Sequence, residues 1–400
     1  MRPFAALCAV AALASCAAPG SAPVEDVLDL RMERTVDFDA MVEDLATVPM
    51  VYIGEFHSHP EVQSFQLRVV DALSRRNPGL LVGMEMFQRP YQAVLDRWSA
   101  GELDEDAFLR EVDWYGQWSD WRLYGPILRL ARERRLRVVA LNAESSVVSA
   151  IGKQGLDGIP PWMRMKVPER IDTSNKKHEK SIREFFHVHP GMENAEERFK
   201  RFYQAQCTWD ETMAESAVEA LATARRPGSA IVVLAGSMHV KDFYPIPERA
   251  RRRNGLDYRT VLPVAREEFP KEGLRTGPGR TADYVFFTGP PPAPAIRRLG
   301  VILRGGDSYL KDVWDGPAKT AGLLPGDVLV SVDAVRIRDQ VDVRLALETL
   351  TPGERIRFTW MRDGKEMRGE ANLPMSDAPP APAAPAAPPA PAPATPEPPK

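Results

Sequence analysis

The sequence predicts an α/β protein: a mostly parallel central sheet with helices on both faces and a helical cap, followed by a small second domain built from strands and one helix. Two observations carry this. Four short apolar runs, rich in β-branched residues and not alternating, are separated by stretches of helical spacing. Strands buried on both faces of a parallel sheet have that pattern, and strand–helix alternation is how such a sheet is wound. The proline-rich joint GPPPAPA at Gly289–Ala295 then marks where those signals stop.

The chain has 400 residues, 44% hydrophobic and 27% charged, with a formal net charge of −3. That is globular composition with room for two or three domains. The charge balance speaks against a nucleic-acid binder, which needs a basic excess. MRPFAALCAVAALASC (1–16) has one positive charge and then an apolar run too short to span a bilayer. Its end, Leu13-Ala14-Ser15-Cys16, resembles a bacterial lipobox. That resemblance implies lipidation of Cys16 and a protein held in the cell envelope, at the outer membrane on its periplasmic or surface side. Ordinary secretory cleavage near Ala18 is the alternative. The membrane is then a partner through the lipid anchor alone.

Residues 17–30 read as a tether, and 31–288 as the large domain. Its strand candidates are Val48–Ile53, Leu80–Met84, Arg137–Leu141 and Ala230–Ala235. Helical spacing covers Gln63–Arg75, Pro126–Arg134 and Gln206–Thr223. Met163–Phe202 has mixed charge and no strand-like run, and reads as the cap. Residues 289–295 are the joint, 296–375 the small domain, and 376–400 a proline–alanine tail that cannot build a core. Cys207 has no mature partner except Cys16, so no internal disulfide is expected.

Ligands of open parallel sheets bind at the carboxyl ends of the strands. The polar residues directly after the four runs are Glu55 and His57, then Glu85, then Asn142, then His239. Taken singly, Glu55 fits a charge at a helix start, His59 a turn residue before Pro60, and His239 a core histidine. Together, Glu55, His57, Glu85 and His239 are a convergent polar set. Three chemistries suit it: His57, Glu85 and His239 holding a divalent metal; a metal-free site in which a carboxylate tunes a histidine that activates water; or a macrocycle with an axial protein ligand. The stretch WYGQWSDWRLYGP (114–126) reads as aromatic core under a crossover or as a wall for a flat ligand. FHVHP (186–190) reads as a loop with exposed histidines or a further ligand candidate.

GEFHSHPEVQSFQLRVVDAL, VGMEMFQRPYQAVLDRW, WRLYGPILRLARERRLRVVALNAE, RFYQAQCTWDETMAESA and IVVLAGSMHVKDFYPIPERARRR carry a resemblance to the ChaN haem-binding lipoproteins over residues 35–265. These belong to the superfamily of the Tiki proteins, the TraB-like proteins and the erythromycin esterases. The resemblance implies haem binding and a role in haem or iron uptake, with His57 and His239 beside the cofactor. A haem-ligating tyrosine is not fixed by a motif. Tyr91, Tyr115, Tyr124, Tyr203 and Tyr244 stay open, with Tyr124 and Tyr203 taken first. The Tiki and esterase branches imply the alternative: a metal-dependent or histidine-base hydrolase using Glu55, His57, Glu85 and His239. Whether the chain is an enzyme, and whether it forms a homodimer, stay open.

The small domain resembles a PDZ domain. GPAKTAGLLPGDVLVSVDAVRI (316–337) matches its turn, short helix and strand, and Leu299, Gly300, Val301 and Ile302 stand where a peptide pairs. Asp339 is placed to cap a helix, and Asp363-Gly364 to turn a hairpin. The resemblance implies capture of an extended peptide or protein C-terminus by strand addition.

Overall fold

A computed structural model describes residues 27–118, 120–186, 194–269, 274–290 and 298–374. The expected signal and lipidation segment with Cys16, most of the tether, His187, His189 and the tail lie outside the described residues. Among the described residues no helix is long and apolar enough to cross a membrane. The chain divides into two units. The first takes its described residues from 27–112 and 123–290, the second from 113–122 and 298–374.

The first unit is built on eight strands: β1 (Val27–Asp29), β2 (Arg34–Val36), β3 (Met50–Glu55), β4 (Leu81–Gln88), β5 (Arg137–Asn142), β6 (Ile231–Gly236), β7 (Tyr258–Ala265) and β8 (Tyr284–Thr288). Their order is β2-β1-β8-β7-β3-β6-β4-β5. The six strands from β8 to β5 run parallel; β1 pairs antiparallel with β8 and with β2. The four apolar runs are β3 to β6, each buried almost throughout. Residues 27–29, expected in the tether, are instead strand β1 inside the sheet. Strands β7 and β8 extend the sheet beyond the four expected from the sequence.

From β3 the chain moves to β4 on one side, and from β6 to β7 on the other. Two adjacent strands, β3 and β6, therefore send their loops in opposite directions. Such a switch opens a crevice at the carboxyl edge. The helix Pro60–Arg76 comes after β3, with proline at its first position and Arg75 and Arg76 in its last turn, as the helix dipole favours. The 28-residue helix Ala195–Ala222 packs its buried stripe under β5 and β6, placing Met213, Ala214 and Ala217 in the core with Leu141 and Val233.

The second unit contains β9 (Val301–Leu303), β10 (Leu310–Val313), β11 (Val328–Val332), β12 (Val335–Arg336), β13 (Arg355–Arg362) and β14 (Lys365–Asn372), with the helix Gln340–Thr349. Asp339 caps that helix by accepting from Val341 N (2.8 Å). Asp363 and Gly364 both have positive φ, the mirror-image turn that suits a two-residue hairpin. A groove of about 290 Å³ runs between Leu299–Ile302 and the helix face of Val343 and Leu347. The aromatic stretch is core rather than a wall: Trp114 and Trp121 are buried and meet edge to face at 5.2 Å. Within this unit the Glu348 carboxylate accepts from Tyr115 Oη (2.7 Å) and from the backbone N–H groups of Trp121 (2.8 Å) and Arg122 (3.0 Å).

Candidate functional site

The carboxyl ends of β3, β4 and β6 collect the polar set. Glu55 is the last residue of β3 and is buried. Its Oε1 accepts from Tyr124 Oη (2.7 Å) and binds His57 Nδ1 (2.7 Å); its Oε2 accepts from Gln66 Nε2 (3.0 Å). A carboxylate so fully bonded is fixed in place and can orient a histidine. The His57 side chain is 49% exposed while its Glu55 partner is fully covered. Burial works against a charged His57, but the hydrogen bond and charge of Glu55 and the charge of Glu85 outweigh it and raise the imidazole pKa above its ordinary value.

Glu85 lies within β4, which continues to Gln88, rather than after the strand as the apolar run suggests. Its Oε2 accepts from Gly236 N (2.6 Å), and its Oε1 is 3.5 Å from His239 Nε2. His239 comes after β6 in a short 3₁₀ turn and is buried. Its Nδ1 is 2.7 Å from Oδ1 of Asp210, a fully buried residue of the helix Ala195–Ala222. Burial opposes the charged ring, yet Glu85 and Asp210 together push the His239 pKa up to about 9. Burial would also protonate Asp210, but its bond to His239 holds the carboxyl below its usual range. Behind Asp210, His178 Nε2 stands 3.6 Å from Oδ2, and burial pushes the His178 pKa down.

Glycine gives a close fit where the two halves meet. A Cβ on Gly236 would sit 3.0 Å from His57 Cε1 and 3.1 Å from His57 Nε2. The site is thus two carboxylate–histidine pairs facing each other across a glycine: Glu55–His57, half exposed, and Asp210–His239–Glu85, buried. Such pairs can hold a proton at a fixed ring nitrogen, or present an imidazole with its second nitrogen already bonded.

The other candidates fall outside the centre. The Tyr124 hydroxyl is fully buried and engaged with Glu55; Tyr203 Oη donates to Asn175 O (3.1 Å) and meets His178 Nδ1 (3.3 Å). Both therefore support side chains of the network from behind. His59 is buried at the start of the helix Pro60–Arg76, with Nε2 3.3 Å from Gly289 O. Asn142 Nδ2 donates to Glu85 O (3.0 Å), so it holds strand β4 rather than lining the crevice. His57, Glu85 and His239, the set expected for a divalent metal, do gather at one edge. Among the described residues, however, no three or more His, Cys, Asp or Glu are placed as a metal-holding group. Asp210 is a member of the site that the strand-end argument misses. A signal for it exists: it shares a helical stripe with the buried Cys207, Ala214 and Ala217. A carboxylate on an apolar stripe is costly unless paired.

Comparison with known proteins places the chain in a family. A family model described as "Haem-binding uptake, Tiki superfamily, ChaN" matches residues 41–250, and a PDZ domain model matches 299–373. The solved structure described as cofacial heme binding to ChaN of Campylobacter jejuni has the same fold (TM-score 0.51, 18% identity, 65% of this chain and 95% of that one). An HtrA-type protease, AlgW, solved with a decapeptide, is 27% identical over 22% of this chain and 31% of its own (TM-score 0.19). An erythromycin esterase, EreC, is 15% identical over 68% of this chain and 85% of its own (TM-score 0.36). No curated protein matches the chain. The family match spans more than half of the 400 residues and includes both histidine pairs: this chain belongs to the ChaN haem-binding uptake family of the Tiki superfamily, and carries a PDZ domain after it.

Proposed function

We propose that the protein is a lipid-anchored haem-binding protein of the cell envelope, acting in haem or iron uptake, with the haem at the carboxyl edge of the sheet beside His57 and His239. The observation that carries this reading is the state of His57. It is a half-exposed imidazole at the switch point, its Nδ1 held by a buried carboxylate that orients the ring for a haem iron. These residues fit a haem iron; the iron would supply the ligand-binding and redox chemistry. The chain's own part is to hold the ring and its charge: Glu55 fixes the tautomer, and Tyr124 and Gln66 fix Glu55. In the same reading the groove beside Leu299, Gly300, Val301 and Ile302 takes an extended peptide or a protein C-terminus.

Hemin titration of the full chain tests this. A saturable shift of the Soret band, lost in His57→Ala, is the expected outcome; no saturable change would sink the proposal.

A second reading rests on the set Glu55, His57, Glu85 and His239, in which His57 oriented by Glu55 has the parts of a histidine base and His239 is held charged by Glu85 and Asp210. It is a hydrolase of ester or peptide bonds. Turnover across an ester and peptide panel that His239→Ala abolishes would favour it. An inert wild-type protein would remove it.

A further inference from the structure

The opposite edge of the same sheet holds a cavity. It lies where β4 and β5 begin and has a volume of about 820 Å³. Four arginines line it, Arg135, Arg137, Arg225 and Arg226, against one acid, Asp96. Four positive charges less one negative leaves a formal +3. Arg137 Nε stands 3.4 Å from Asp96 Oδ1, and Arg226 Nη1 donates to the Pro78 carbonyl (3.1 Å). Among the described residues no carboxylate is paired with Arg135 or Arg225, both exposed. Ser99 also lines the cavity, and its buried hydroxyl has no hydrogen-bond partner.

Arg135 carries the decisive feature. The helix Trp121–Glu133 ends in a paired-bond stop: Leu136 N donates to Ala131 O (2.8 Å) and Arg135 N to Arg132 O (3.1 Å). That stop needs a left-handed residue between them, and Arg135 has φ 55°. Glycine is the usual occupant, because a Cβ is disfavoured there. This chain places an arginine at that position, beside three more. Residues that break a local preference belong where another requirement prevails.

We propose that this cavity binds a phosphate-bearing anion, and that Arg135 is kept at the helix stop for its guanidinium. Guanidinium forks match phosphate oxygens two at a time, and a single carboxylate would leave most of the +3 unmet. The volume is in the range of small-molecule sites and exceeds what one phosphate fills. The ligand is therefore a phosphorylated molecule larger than phosphate itself. It is either a soluble compound or the headgroup of a lipid.

The test uses the full chain carrying Cys16→Ser, so that no lipid anchor is attached. Inorganic pyrophosphate should raise its Tm saturably, or vesicles of phosphatidylcholine with phosphatidic acid should retain it where phosphatidylcholine alone does not. The first outcome assigns the soluble source and the second the headgroup. Arg135→Gly should raise the Tm without ligand by about 2–4 °C. Combined with Arg225→Gln, it should weaken whichever binding is seen by at least about tenfold. Absence of saturable binding to both probes would overturn the proposal. So would a double variant that binds like the wild type, or an Arg135→Gly that lowers the ligand-free Tm.

Discussion

His239 is held by a carboxylate on each ring nitrogen, and this has a consequence for stability. Its folded pKa of about 9 lies above the ordinary imidazole value near 6.5. A raised histidine contributes stability that is fully present below the unfolded pKa and lost as pH rises through the folded one. Urea unfolding should therefore show wild-type stability falling by roughly 2–3 kcal/mol between pH 6 and pH 9.5 from this group. The fall should be clearly smaller in His239→Gln; an equal fall in both would refute the assignment. His57 is shifted in the same direction by Glu55 and Glu85, so Glu55→Gln should lower the His57 pKa, read by NMR titration of its ring protons. At the shared boundary, Gly236→Ala puts a methyl group 3.0 Å from His57 Cε1. The half-exposed ring must give by a few tenths of an ångström, so the fold should survive while hemin affinity drops by about tenfold or more. A variant with wild-type affinity would show that the ring's position does not matter.

At the scale of elements, burial decides what is legible. Strands β3 to β6 show in the sequence because they are apolar on both faces. Strand β7 does not: it opens with Tyr258-Arg259-Thr260 and contains Pro263. The proline lies past the β3–β7 ladder, which ends at Val261, and stays in register with Phe286 of β8. Strands β1 and β2 have three residues each and no pattern to detect. The helix Pro60–Arg76 is legible from its spacing, but the longer helix Ala195–Ala222 hides its most consequential residue. Asp210 is a carboxylate whose partner, His239, is 29 residues away. Local periodicity marks such a residue as misplaced without saying what compensates it. Asp210→Ala should destabilise the protein by about 3–5 kcal/mol in urea unfolding, because it leaves a buried imidazolium with half its counter-charge. The hairpin β13–β14 is legible from Asp363-Gly364. Its tightest point is Gly369, where a Cβ would lie 2.1 Å from the Ala321 carbonyl oxygen. Gly369→Ala should cost about 1–3 kcal/mol or more in the second unit's unfolding transition.

For the whole molecule, the sequence supplies the residues of the site but not the strand order that joins them. Nothing local says that β6 inserts between β3 and β4, yet that insertion brings His239 to Glu85 and His57 to Gly236. The two-domain division is legible at the proline-rich joint, with one exception. Residues 113–122 lie in the middle of the first domain's sequence and group with the second unit, where Glu348 satisfies Tyr115 and two backbone N–H groups. A chain ended at residue 290 removes those acceptors. Limited proteolysis should then find new cleavage within 113–122 that the full chain resists.

That loop has a bearing on ancestry. A gene encoding two tandem modules can usually be cut and rejoined at the linker, and each half is inherited intact. Here a crossover at the joint would strand ten residues of one reading frame without their seat in the other. Substitution in the Glu348 helix is therefore answerable to Tyr115 and Trp121, more than two hundred codons upstream.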